Sequence, residues 1–119
     1  MQYINYLILV LLILFIIKRF VPTKGIKHIS TAELKNELQD KTKKFIDVRT
    51  PGEFKNNHIR GFKNIPLNQL SQKANQFERD KEIVVICQSG MRSQQGCKVL
   101  KKLGFSNITN VKGGVSAWR

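Results

Sequence analysis

Residues 82–86, Glu-Ile-Val-Val-Ile, constrain the fold more than any other stretch of the chain. Consecutive β-branched residues favour a strand, and their side chains then alternate between its two sides. An apolar residue at every position from Ile83 to Ile86 means that both sides must be covered. Strands of that kind belong to parallel sheets with helices packed on each face. The run stops at Cys87, and Gln88-Ser89-Gly90-Met91-Arg92 leads into a helical pattern over Ser93–Leu103. Cys97, Leu100 and Leu103 share one face of that helix, Val99 lies beside them, and Gly104 fits its C-cap.

The rest of the chain repeats this alternation on a smaller scale. Ser30-Thr31-Ala32-Glu33 is a capping-box pattern, followed by Leu34 and Leu38 at helical spacing. Lys44–Val48 reads as a short strand that Thr50-Pro51-Gly52 breaks, and Glu53–Gly61 reads as irregular or a single helical turn. Asn64-Ile65-Pro66 is a short extended piece, and Pro66 opens a helix through Leu67, Leu70 and Ala74. Asn107–Val111 is a last strand, Gly113-Gly114 a turn, and Val115–Trp118 a terminal helical turn. Short strands alternating with helices predict an α/β fold with a mainly parallel central sheet flanked by helices. One domain over 28–119 accommodates all of it.

The N-terminus is different material. Leu7–Ile17 is unbroken apolar sequence, extended by Tyr6 and by Tyr3-Ile4 across Asn5, and closed by Lys18-Arg19. With Phe20-Val21 included and the two basic side chains snorkelling, the segment approaches the ~20 residues of a membrane span. A signal peptide would need a basic start and small residues at a cleavage site, and MQYINY and KRFVPTKG supply neither. Residues 1–21 are therefore expected to form one N-terminal transmembrane anchor, and 22–27, with Pro22-Thr23-Lys24-Gly25, a linker. Lys18, Arg19, Lys24 and Lys27 all follow the run. The positive-inside rule then makes the chain a single-pass protein of the cell membrane with its domain facing the cytoplasm.

Charge and cysteines narrow the partners. The chain has 21 Lys and Arg against 8 Asp and Glu, a net +13. The basic residues are scattered and not interleaved with aromatics, and no helix-turn-helix, RNA-recognition or zinc-finger pattern is present, so nucleic acid is not expected. Residues 26–119 alone carry about +10, which suits anionic lipid or an anionic substrate. Cys87 and Cys97 form neither a disulfide framework nor a CxxC pair, and no Cys/His cluster has zinc spacing. Free thiols fit a reducing compartment.

The loop after Cys87 favours negative charge at the sulfur. Ligands of open α/β sheets bind beyond the carboxyl ends of the strands. A loop entering a helix N-terminus turns backbone N–H groups toward an anion. A thiolate held there has a lowered pKa and is the reactive species. Gly90 admits backbone conformations closed to other residues. Ser89 and Ser93 add hydroxyl donors, and Arg92 carries a fixed charge able to hold an oxyanion. The competing view of Cys87 is a small buried hydrophobe at a strand end.

In order along the chain stand Asp47-Val48-Arg49 with Glu53-Phe54, His58-Ile59-Arg60-Gly61 with Asn64-Ile65-Pro66, the loop Cys87–Ser93, Gly104-Phe105, and Val111-Lys112-Gly113-Gly114-Val115-Ser116-Ala117-Trp118. This series resembles the single-domain rhodaneses, which are thiosulfate or persulfide sulfurtransferases. The resemblance covers residues 28–118, with Phe62 standing where the family usually has alanine. It implies that Cys87 is the nucleophile and becomes a persulfide in a two-step covalent reaction. It implies that Gln88, Ser89, Gly90, Met91, Arg92 and Ser93 bind the sulfur donor, the amides of 88–92 cradling the persulfide and Arg92 holding the donor's oxyanion. It implies no cofactor and no metal. The donor would be thiosulfate or a persulfide, and the acceptor a thiol, cyanide or a partner protein. Asp47 and Arg49 would shape the fold near the site.

Three other readings compete. Related phosphatases and arsenate reductases have five residues between cysteine and arginine, whereas Gln88–Met91 make four. A redox sensor would use Cys97 as resolving thiol, and an interaction module of the same fold would do without Cys87.

Overall fold

The computed structural model describes residues 2–20 and 25–118, apart from the side chains of 18–20. The elements are helix α1 (Gln2–Phe20), strand β1 (Ile26–Ile29), α2 (Thr31–Glu37), β2 (Lys44–Asp47), α3 (Pro51–Asn56), β3 (Lys63–Asn64), α4 (Leu70–Lys73), β4 (Ile83–Ile86), α5 (Met91–Lys102) and β5 (Ile108–Val111). Single 3-10 turns, Leu67–Gln69 and Ala74–Gln76, flank α4, and another, Val115–Ala117, follows β5.

The five strands form one sheet in the order β1-β5-β4-β2-β3, with every neighbouring pair parallel. β4 lies at the centre, and Ile83, Val84, Val85 and Ile86 are all fully buried. Ile83 and Val85 join one core cluster with Leu70, Cys97 and Leu100, while Val84 and Ile86 join another with Leu34, Ile59 and Val111. The continuous apolar run thus fills both faces of a central strand. Each such side chain contributes roughly 1.5–3 kcal/mol. Phe62 is buried and packs edge-on against Phe45, with ring centroids 5.4 Å apart.

Several boundaries differ from expectation. Of the expected linker 22–27, residues 22–24 lie outside the described residues, and Ile26-Lys27 already belong to β1. The strand escapes a pattern search because only one of its four residues, Ile29, is fully buried. Of the two alternatives for 53–61 the helical one holds, but the helix starts at Pro51 and ends at Asn56. Thr50 accepts a hydrogen bond from the Glu53 amide, Glu53 caps back onto Thr50, and Pro51 sits in the first turn where its missing N–H costs nothing. α5 begins at Met91, two residues early, and the helix expected through Leu67–Ala74 alternates between 3-10 and α geometry.

The transmembrane anchor is the larger correction. The segment is helical over Gln2–Phe20, but among the described residues no helix is long and apolar enough to cross a membrane. The physical reason is length. At 1.5 Å per residue the unbroken Leu7–Ile17 run rises ~16 Å, about half of the ~30 Å hydrocarbon core. Its apolar side chains are nonetheless open to solvent, from 46% exposed at Ile16 to 64% at Phe15.

Candidate active site

Cys87 directly follows β4, so its sulfur sits at the carboxyl end of the central strand. It is 1% exposed. The Gly90 amide donates to Sγ at 2.9 Å, and the Ser93 hydroxyl lies 3.4 Å from Sγ. Burial pushes the Cys87 thiol up. The Ser93 hydroxyl and the amides of Ser93, Gly90 and Ser89 together outweigh burial and hold the thiol below its ordinary value. The loop is a nest of donors converging on one sulfur atom.

Its shape depends on two glycines. Gly90 has φ +110°, ψ −13° at the N-cap of α5, where a side chain would strain the backbone. Gly114 has φ +60°, and a Cβ there would lie 2.7 Å from the Gln88 carbonyl oxygen and nearer still to that of Cys87. That close approach lets the Val115 amide donate to the Cys87 carbonyl at 2.8 Å and the Ser116 amide to the Gln88 carbonyl at 3.0 Å. The chain's end thereby satisfies the outward carbonyls of the loop while its amides face the sulfur.

Beneath the loop lies a buried ion pair. Arg49 is 1% and Asp47 0% exposed. Arg49 Nε lies 3.0 Å from Asp47 Oδ1, and Nη2 lies 2.9 Å from Oδ2. The guanidinium also donates to the Asn57 carbonyl at 2.6 Å and to Gln88 Oε1 at 3.1 Å. The Asn64 amide ties down the Asp47 and Arg49 carbonyls at 3.0 and 2.9 Å. Asp47 and Arg49 thus fasten β2, the turn after α3 and the catalytic-loop candidate Gln88 together.

Arg92 is placed differently from a free oxyanion holder. Its Nη1 and Nη2 donate to Glu53 Oε1 and Oε2 at 2.6 and 2.9 Å. Arg92 holds the Glu53 carboxyl well down, to about 2. The Arg92 side chain as a whole is 36% exposed. The Thr50-x-x-Glu53 capping box was the available sequence signal for Glu53. Met91 is 76% exposed. Cys97 is fully buried, and burial followed by the nearby Cys87 pushes its thiol up to about 12. Among the described residues no cluster of His, Cys, Asp and Glu is arranged to hold a metal.

Residues 30–119 match the family model for the rhodanese-like domain. The chain belongs to the rhodanese-like family. It is 42% identical over 94 residues to a putative sulfurtransferase of Bacillus subtilis, covering 78% of this chain and 90% of that protein. It is 33% identical to a thiosulfate sulfurtransferase of Shewanella oneidensis, covering 77% and 91%. A crystal structure of a rhodanese-like domain protein from Staphylococcus aureus superposes with a TM-score of 0.72 at 34% identity, covering 78% and 91%. Against two other Bacillus subtilis relatives, an uncharacterized protein and a putative sulfur carrier protein, the chain spans 58% and 51% of their length. The Cys87 loop, at the carboxyl end of the sheet, lies within the residues that match this family.

Proposed function

We propose that the protein is a rhodanese-type sulfurtransferase with Cys87 as its sulfur-carrying nucleophile. The observation that carries this reading is the ring of donors around Cys87 Sγ, which favours a negative sulfur there. With thiosulfate as donor, the Cys87 thiolate attacks the sulfane sulfur, the donor S–S bond breaks, and sulfite leaves with the electron pair. Cys87 then carries a persulfide anion, cradled by the amides of the 88–92 loop and by Ser93. An acceptor thiol, cyanide or protein cysteine attacks the outer sulfur and returns Cys87 as thiolate. Charge balances in both steps, so no cofactor is needed. A small-molecule or protein persulfide serves as donor by the same exchange.

Arg92 contributes by attracting the donor's anionic end through the N–H groups that Glu53 leaves free. Gln88, Ser89, Gly90 and Met91 form the wall that the donor meets. Steady-state kinetics with thiosulfate and cyanide test the reading. Thiocyanate formation with ping-pong kinetics, abolished in Cys87→Ser, supports it; turnover that survives in Cys87→Ser contradicts it.

The reading extends to location. The protein works at the cytoplasmic face of the cell membrane, attached without spanning it through the exposed apolar residues of α1. Supporting this are the exposed apolar side chains of α1, which need covering, and the basic residues Lys18, Arg19, Lys24 and Lys27 at and beyond its end in the sequence.

A further inference from the structure

The geometry points to His28 and Asn110 as positioning residues that set the charge state of Cys87 through Ser93. The inference deepens the sulfur-transfer reading and concerns the same sulfur. β1 and β5 pair with His28 opposite Asn110, and β5 and β4 pair with Asn110 opposite Val85, two residues before Cys87. Four neighbouring segments, β1, β5, α5 and the loop after β4, therefore bring four polar side chains into line. His28 Nδ1 lies 3.1 Å from Asn110 Nδ2. Ser93 Oγ lies 2.5 Å from Asn110 Oδ1 and 3.4 Å from Cys87 Sγ. Ser93 is 0% and Asn110 and Cys87 are each 1% exposed. Among the described residues no charged side chain hydrogen-bonds to any of the four.

Counting protons shows why the order matters. The Ser93 hydroxyl has one hydrogen and three acceptors in reach: Asn110 Oδ1, the Gly90 carbonyl at 3.0 Å and the Cys87 sulfur. In the arrangement seen, Asn110 Nδ2 donates to His28 Nδ1 and Asn110 Oδ1 takes the serine hydrogen. Asn110 Oδ1 then competes with the sulfur for the one serine hydrogen, and while Asn110 holds it Ser93 offers Cys87 only a lone pair, which suits a thiol. When His28 Nδ1 carries hydrogen, the Asn110 amide turns. Its oxygen accepts from His28, its nitrogen donates to Ser93, and the serine hydrogen is left to the Gly90 carbonyl and the sulfur, of which a negative sulfur is the stronger acceptor. That arrangement suits a thiolate or a persulfide anion. A donor at position 28 thus favours negative sulfur, and an acceptor opposes it.

The test reads Cys87 alone, through the pH dependence of iodoacetamide alkylation followed by intact mass on the full chain. It needs no sulfur transfer, so it stands whether or not thiosulfate is the donor. His28→Lys offers only a donor at this half-buried position, and His28→Glu only an acceptor. The thiol pKa is expected to be lower in His28→Lys than in His28→Glu by about one unit, the scale of one hydrogen bond to a charged group. Charge alone would move both in the same directions, so the deciding comparison repeats the pair in an Asn110→Leu background and in a Ser93→Ala background. The gap is expected to collapse in both. A gap that persists in either folded background shows through-space charge and overturns the relay, as does the absence of any gap with Asn110 and Ser93 intact.

Discussion

At the scale of single residues, the site is governed by where donors point and which charges are already spoken for. Cys87 is buried, yet its thiol is held low because Gly90, Ser89 and Ser93 aim donors at it. Cys97 has burial without that nest, so its thiol stays neutral across the ordinary pH range. That contrast argues against a redox pair in which Cys97 acts as a ready resolving thiol. Arg92 is paired with Glu53, and the pair has a predictable pH signature. The Glu53 carboxyl is held at about 2 against an ordinary 4.5. A lowered carboxyl stabilises the fold fully above 4.5 and loses that contribution as pH falls from there toward 2. Both side chains are about one-third exposed, so screening keeps the effect below about 1 kcal/mol. Urea midpoints of the wild type and Glu53→Gln are expected to differ at pH 7 and converge as pH falls toward 3. A gap that stays constant over that range would contradict the pairing.

At the scale of elements, legibility followed periodicity. β4 is readable because four β-branched apolar residues admit one environment, and α5 because Cys97 and Leu100 recur at helical spacing onto the same core. In the Cys87 loop the expected donors are the legible part, since Gly90, Ser89 and Ser93 do hydrogen-bond to the sulfur. β1 is not readable, since its partner β5 lies some eighty residues away and the strand exists only through that pairing. α3 hides behind Thr50-Pro51-Gly52, which looks like a break and is a capped helix start. The Glu53–Arg92 pair and the His28–Asn110–Ser93 line are invisible for the same reason as β1. They join residues from separate elements that only the sheet order brings together.

At the scale of the whole molecule, the sheet order places β4 between β5 and β2, and the site draws on both neighbours. β2 leads to Arg49, which grips Gln88, and the chain beyond β5 clamps the loop carbonyls at Cys87 and Gln88. α1 stands apart from this machinery as an apolar surface. If it attaches the protein to the membrane, deleting residues 2–20 should move the chain from the membrane fraction to the soluble fraction without lowering sulfur-transfer rates. Recovery of the full chain in the soluble fraction would refute that location. The central claim is that Cys87 carries sulfur. Its most direct test is intact mass spectrometry of the full chain incubated with thiosulfate or glutathione persulfide in the absence of acceptor. The account predicts a gain of one sulfur atom on the wild type and on Cys97→Ser and none on Cys87→Ser. No gain on the wild type from either donor, or a gain that Cys87→Ser retains, would contradict it.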